Sequence, residues 1–149
     1  NASAGIITMP NQSSVSAVRT STQSISNVTH TKIQLSSELH DVQNEFDSTT
    51  NYRFTATNAG KYLVMGKVLW GNPVDGSRYQ VSLRVNNVDK GRSLIRINTA
   101  NQQTNKSFMI FDLSASDYIE LWVYQDSGGA DDVTHGDTGD VSLYIHKLS

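Results

Sequence analysis

Residues 52–70 limit the fold more than any other part of the chain. Residues 52–56 alternate apolar and polar side chains, as a β-strand with one face in water does. The turn residues 58–60 follow, and their glycine, Gly60, can adopt a positive φ. Residues 61–70 then predict a second strand with apolar side chains on both faces. A strand of an antiparallel sandwich needs only one apolar face, so the pattern predicts that something beyond the core of one chain covers the second face.

Short apolar alternations separated by turn residues continue along the chain. Further strands are predicted at residues 15–20, 31–35, 79–85, 93–97, 107–113, 118–125 and 141–145. Residues 21–29 and 99–106 are predicted to be polar loops, and the Asp and Asn content of residues 38–48 favours a wrapped loop over a helical turn. About nine or ten short strands without a helix predict an all-β fold, a jelly-roll sandwich of antiparallel strands.

Length and composition narrow the range of functions. The 149 residues predict one domain, which we place at residues 15–149, after a polar linker or the end of an upstream stalk at residues 1–14. The absence of cysteine excludes disulfides, thiolate zinc sites and a cysteine nucleophile. The net charge of -2 argues against a nucleic-acid partner.

No apolar run reaches the length of a membrane-spanning helix and no signal peptide is visible, so no membrane insertion is predicted. The abrupt start at Asn1 suggests a fragment of a longer chain.

The spacing of Phe54, Gly60 and Tyr62 resembles the core signature of the C1q and tumour necrosis factor (TNF)-like jelly rolls. Upstream, Leu35, Asp41 and Phe46 lie near the positions where that signature has an apolar residue, an Asp or Asn, and an aromatic residue, respectively. Downstream, residues 113–123 are similar to the leucine, turn and strand segment of the same family. The resemblance implies a ten-stranded sandwich that assembles as a compact homotrimer, often at the tip of a fibrous stalk.

A trimer of this kind explains why strands carry apolar side chains on both faces. Neighbouring subunits would cover large side chains that one chain leaves exposed. The predicted interface residues are Leu63, Met65, Trp70, Trp122 and Tyr124. The alternative is that long loops of the same chain cover these side chains.

The segment 126–140 is acidic and rich in glycine. Its carboxylates are those of Asp126, Asp131, Asp132, Asp137 and Asp140. Oxygen ligands on a flexible loop suit Ca²⁺, although the spacing is not that of an EF-hand. The alternative is a solvated loop tip. His135, within this segment, is a candidate pH-sensitive group.

Two further groups of side chains allow sugar binding. Basic residues are concentrated on one hairpin, at Arg78, Arg84, Lys90, Arg92 and Arg96. They could recognise sulfated or carboxylated sugars, or protect a sheet edge from wrong pairing. Aromatic residues that could stack on sugar rings, or else belong to a core or interface, are Trp70, Tyr79, Tyr118 and Trp122.

No constellation of catalytic residues is visible. The histidines, at positions 30, 40, 135 and 146, are scattered without a zinc-binding spacing, and the sequence has neither a nucleophile elbow nor a phosphate-binding glycine loop. The chain is therefore predicted not to be an enzyme.

The leading hypothesis is a trimeric recognition or capping module, the distal knob of a fibre on a phage or bacterial surface. It would lie outside the cell or on the virion, and would bind a cell-surface glycan or receptor through loops at one end of the sandwich. The predicted ligand contacts are Asn72, Asp75, Arg78, Asp126 and His135. Two alternatives remain open, a carbohydrate-binding module of a secreted enzyme and a purely structural trimerisation cap.

Overall fold

A computed structural model describes residues 12–135, 137 and 139–149, in which thirteen β-strands and no helix are present. The strands are β1 (Ser14–Val18), β2 (Gln23–Ile25), β3 (Thr31–Lys32), β4 (Ser37–Asp41), β5 (Phe46–Asp47), β6 (Arg53–Thr55), β7 (Gly60–Trp70), β8 (Arg78–Val85), β9 (Val88–Arg96), β10 (Gln103–Leu113), β11 (Tyr118–Gln125), β12 (Asp131–Val133) and β13 (Ser142–Lys147). In this described part of the chain, no helix is long and apolar enough to cross a membrane.

The strands form two antiparallel sheets. The first sheet has the order β2-β12-β7-β13-β1-β4, and β10 pairs with β7 along its full length. The second sheet has the order β5-β6-β11-β8-β9, and β3 pairs with β11. Each long strand turns alternate side chains inward, so the two sheets enclose one apolar core.

Strand β7 shows most clearly how the alternation builds this core. Tyr62, Val64, Val68 and Trp70 point inward and are fully buried. The Trp70 ring meets the Tyr79 ring of the second sheet edge-on, with 4.7 Å between ring centroids. Trp70 therefore needs no cover from another subunit, and its predicted place in the trimer interface is wrong.

Gly66 lies on the inner face of β7 between these large side chains. A Cβ at this position would overlap Cδ1 of Leu121 and lie 3.0 Å from Cδ2 of Leu83. Both leucines belong to the second sheet and are fully buried. The missing side chain thus allows the two sheets to approach each other at the centre of the core.

Several predicted loops contain strands. In place of the loop expected at 38–48, β4 pairs with β1, and β5 pairs with β6. Strand β12 lies within the acidic segment 126–140 and pairs with β2, itself inside the loop expected at 21–29. These strands are short and β4 is largely exposed, so they lack the apolar alternation by which a strand is recognised in a sequence.

Most of the predicted linker, residues 1–11, lies outside the described residues. Its last residues belong to the sandwich. Ser13 is buried and donates a hydrogen bond from Oγ to Oε2 of Glu45, and Ser14 begins β1.

The close approach at Gly66 makes a bulky residue there costly. We expect Gly66→Val to lower the free energy of unfolding by roughly 1–3 kcal/mol, because the new side chain overpacks the core against Leu121 and Leu83. Urea denaturation followed by tryptophan fluorescence measures the change. Gly129→Ala is the control, since a Cβ at Gly129 has open space around it. Equal stability of the two variants would contradict this account of the packing.

Candidate interaction surfaces

The outer face of the first sheet carries a row of apolar side chains. Leu63 of β7 lies opposite Ile110 of β10, and Met65 lies opposite Phe108. The exposed fractions are 73% for Phe108, 56% for Ile110 and 42% for Leu63. Tyr144 of β13 extends the row on the other side of Met65. We call Leu63, Met65, Phe108, Ile110 and Tyr144 the apolar face.

A groove of about 370 Å³ runs along this apolar face. It is lined by Ser14, Val15, His40, Leu63, Met65, Phe108, Tyr144, Ile145 and His146. Polar pairs lie beside the apolar face. His40 Nε2 lies 3.0 Å from Ser14 Oγ in the groove, and Lys61 Nζ lies 2.7 Å from Asp112 Oδ2 on β7 and β10. Contiguous apolar surface with a polar rim is typical of a protein–protein contact.

The interface residues predicted from sequence do not share one surface. Leu63 and Met65 lie on the apolar face. Trp122 and Tyr124 lie on the outer face of the second sheet, because they alternate along β11 with the buried Leu121 and Val123. The prediction also omitted Phe108 and Ile110, although residues 107–113 show apolar side chains on both sides of a strand.

Side chains of the same chain cover the aromatic residues of β11. The Arg84 guanidinium lies 4.0 Å from the centre of the Trp122 ring, and the indole Nε1 donates to Glu120 at 2.9 Å. The ring of His30 packs against Tyr124 with 4.9 Å between centroids. These contacts favour the alternative that the chain itself covers this part of its surface.

Two of the predicted ligand-binding segments meet at one end of the sandwich. Gly71 donates its backbone N–H to the carbonyl of Asp132 at 3.0 Å, which holds the turn 71–77 beside the acidic segment. Arg78 binds Asp126 twice, through its backbone N–H at 2.7 Å and its Nε at 2.6 Å. These two hydrogen bonds, the backbone one first, lower the pKa of Asp126 despite some desolvation.

The other predicted ligand contacts are placed less closely together. Asn72 and Asp75 are exposed on the turn 71–77, and Asp75 accepts a hydrogen bond only from the next residue in the chain, Gly76. His135 is half-buried, and its Nδ1 has no hydrogen-bond partner in the part of the chain that is described. The structure therefore joins Arg78 to Asp126, and within the described part of the chain no hydrogen bond or ion pair links the remaining three to one another.

The five carboxylates of segment 126–140 do not form one cluster. Asp131 is buried and accepts a hydrogen bond from the Tyr79 hydroxyl at 2.6 Å. Asp140 accepts one from the backbone of Asp137 at 2.7 Å and pairs with Lys67 at 3.2 Å. Among residues 12–135, 137 and 139–149, no three acidic or imidazole groups are arranged to hold a metal ion. The five are not gathered at one point of the structure, because β12 fixes part of the segment into the first sheet.

The Arg78–Asp126 contact predicts a pH-dependent contribution to stability. The pKa of Asp126 is lower in the folded chain than in the unfolded chain, so its contribution is present above the unfolded pKa of about 4 and is lost as the pH falls through the folded value. We expect Asp126→Asn to be less stable than the wild type at about pH 7, and the difference to narrow as the pH falls below about 4. Urea denaturation at a series of pH values tests this, with Asp75→Asn as the exposed control. A difference that does not depend on pH would contradict it.

Comparisons with known proteins agree with this architecture. No protein-family model and no curated protein sequence matches the chain. Among solved structures, murine APRIL at pH 5.0 is similar with a TM-score of 0.68 and 16% identity, over 93% of this chain and 100% of that one. The globular domain of zebrafish complement 1qA is similar with a TM-score of 0.64 and 12% identity, over 92% of this chain and 98% of that one. A structure of murine APRIL at pH 8.5 gives a TM-score of 0.64 and 16% identity, over 93% and 100% of the two chains. The chain thus has the C1q/TNF-like jelly-roll fold that its sequence predicts.

Proposed function

We propose that the chain assembles as a homotrimer through its apolar face and acts as a non-enzymatic recognition module. The observation that carries this proposal is the exposure of Phe108, Ile110 and Leu63 side by side. Chains that remain monomeric rarely leave so many neighbouring large apolar side chains in water. Transfer of these side chains into an interface gains free energy in proportion to the apolar area removed from water.

The placement of the apolar residues favours a cyclic trimer over a two-fold dimer. Leu63, Met65 and Tyr144 lie within the sheet, whereas Phe108 and Ile110 lie on β10, which pairs with β7 alone. The apolar face therefore extends from the middle of the sheet to its outermost strand, so neighbouring subunits can bring different parts of it together in a head-to-tail contact. Such contacts close into rings when the rotation between subunits allows it, and the C1q/TNF-like resemblance implies closure after three.

Recognition in this proposal uses the end of the sandwich where residues 71–77 meet residues 126–140. The exposed Asn72 and Asp75 lie there with the Arg78–Asp126 pair, and three such ends in one trimer would bind a multivalent surface more tightly than one. We place the module at the distal end of a fibre on a phage or bacterial surface, facing a cell-surface glycan or receptor. The Ser-, Thr- and Asn-rich sequence without cysteine supports a polar, extracellular or virion-borne module.

The first prediction concerns assembly. We expect the wild type to sediment at micromolar concentration with three times the mass of one chain, and Phe108→Glu to sediment as a monomer, because each contact would then bury a carboxylate without a partner. Since Phe108 is 73% exposed in one chain, the variant should keep the stability of the isolated fold within about 0.5 kcal/mol.

Val74→Glu is the matched control, because Val74 is exposed in the turn 71–77, away from the apolar face, and this variant should remain trimeric. A monomeric wild type would refute the proposed assembly and would favour a monomeric carbohydrate-binding module.

The second prediction concerns recognition. We expect the trimer to bind bacterial surfaces or arrayed glycans, and the monomeric Phe108→Glu variant to bind them at least about tenfold more weakly because avidity is lost. Arrays incubated with and without Ca²⁺ measure both binding and its dependence on the ion. A trimer that binds none of these surfaces in either condition would instead be a structural cap.

A further inference from the structure

The hairpin of β8 and β9 differs in charge from the rest of the chain. Residues 78–96 contain five of the chain's twelve lysines and arginines but only one of its fourteen carboxylates, that of Asp89. The remaining residues are accordingly acidic, since the whole chain has a net charge of -2. Four of the five cations lie on strand positions that alternate with inward-facing residues and so share the outer face of the second sheet. We call Arg78, Arg84, Arg92 and Arg96 the basic face.

Two arginines of the basic face lie directly opposite each other. Arg78 of β8 is the cross-strand partner of Arg96 of β9. Like charges in this position destabilise a sheet. Asp126 pairs with Arg78 alone, and Arg96 donates from Nη1 to the carbonyl of Gly76 at 3.0 Å. The two guanidinium groups therefore share a single nearby carboxylate.

Arg92 also has no carboxylate partner. It is exposed and lies opposite the small, buried Ser82. Neither Arg92 nor Arg96 takes part in any ion pair of the described residues. Arg84 lies on β8, between β9 and β11. Its Nε lies 2.7 Å from Oδ1 of Asp89, and its guanidinium lies 4.0 Å from the centre of the Trp122 ring. The basic face thus combines a rigid centre with two exposed guanidinium groups, those of Arg92 and Arg96, that form no ion pair among the described residues.

Protection of a sheet edge does not account for this arrangement. Cations on an edge strand discourage pairing with other chains, and β9 is the edge of the second sheet. Arg78, however, lies on β8, which has strands on both sides. Its charge gives no protection to an edge, and its ion pair with Asp126 offsets the repulsion from Arg96 opposite.

We propose that the basic face binds an acidic polysaccharide, in which carboxylate or sulfate groups are separated by neutral sugar units. One anionic group would bind Arg96, which β8 separates from Asp126 at the end of β11. A second would bind Arg92, four residues or about 13 Å further along β9. Asp89, opposite Arg84, and Asp126, beside Arg78, lie at the two ends of the basic face and can accept hydrogen bonds from sugar hydroxyl groups.

The interspersed carboxylates favour this partner over a nucleic acid. A nucleic-acid strand carries a phosphate at every nucleotide, about 3.4 Å of rise apart in a duplex. Its charges would therefore lie beside Asp89 and Asp126 as well as beside the arginines. A polymer with well-separated anionic groups avoids that repulsion.

This inference names the class of ligand for the proposed recognition function. It depends on the proposed trimer only for avidity, the gain in binding strength from several sites acting together. The basic face is complete within one chain and lies on the second sheet, whereas the apolar face lies on the first. A monomer should therefore still bind the polysaccharide at its single site.

The test measures binding of the full chain in solution by isothermal titration calorimetry. The probes are heparin as a sulfated polymer, polygalacturonate as a carboxylated one, dextran as a neutral one, and single-stranded DNA as a dense polyanion. We expect binding to heparin, to polygalacturonate or to both, but not to dextran, and weaker binding to DNA. Arg92→Gln/Arg96→Gln should weaken polysaccharide binding by roughly tenfold or more, because two charge-assisted contacts are lost.

The matched control is Lys61→Gln/Lys106→Gln, which removes the same charge from the first sheet. Its affinity should stay within about twofold of the wild type, while circular dichroism confirms that both double variants are folded. Equal weakening by the two pairs, DNA binding as tight as polysaccharide binding, or no binding to either acidic polymer would overturn the proposal. The oligomeric state of the wild type separates the two proposals. A monomeric wild type that still binds the acidic polymers would refute the assembly and support the basic face, whereas a trimeric wild type that binds neither polymer would refute the basic face alone.

Discussion

The antiparallel pairing of β7 with β10 on one side and β13 on the other determines both the core and the exposed surface of this chain. Side chains alternate along a strand with a period of two, so the register that buries Tyr62 and Val64 also sends Leu63 and Met65 outward. A slip of one residue would exchange the two rows and turn Lys61 and Lys67 toward the core. Burial of Trp70 against Tyr79 fixes the register, and the apolar face follows from it.

Gly66 shows how the same strand also sets the distance between the sheets. It is the inward position at which Leu121 and Leu83 reach the β7 backbone. Further along β7 in each direction, the large side chains of Tyr62 and Trp70 fill the core. One strand therefore carries both large and small residues of the core. The outer face of β7 is constrained by none of these contacts, which leaves it free to serve assembly.

Apolar alternation in the sequence was enough to predict the fold class and the long strands β7, β8 and β11. It could not reveal β4 or β12, because these strands are held by backbone pairing and carry polar or exposed side chains. The predicted site residues are spread over several surfaces for a related reason. Periodicity tells which side chains share a face of one strand, but not which sheet that strand joins, so Trp122 and Leu63 were assigned to one surface although they lie on opposite sheets. The carboxylates of segment 126–140 were close in sequence, yet pairing of β12 with β2 holds part of that segment in the sheet.

The two outer faces of the sandwich differ in chemistry, and this difference allows assembly and ligand binding to coexist. Leu63, Phe108 and Ile110 on the first sheet gain free energy by leaving water, whereas desolvation of Arg92 or Arg96 without an ion-pair partner costs on the order of several kcal/mol. In the proposed assembly, the first sheet would therefore form the contacts between identical subunits and the basic face would stay outside them. An anionic ligand would bring the missing partner charge. The same arginines without ion pairs that keep the second sheet out of the proposed subunit interface therefore suit this sheet to bind an acidic polymer.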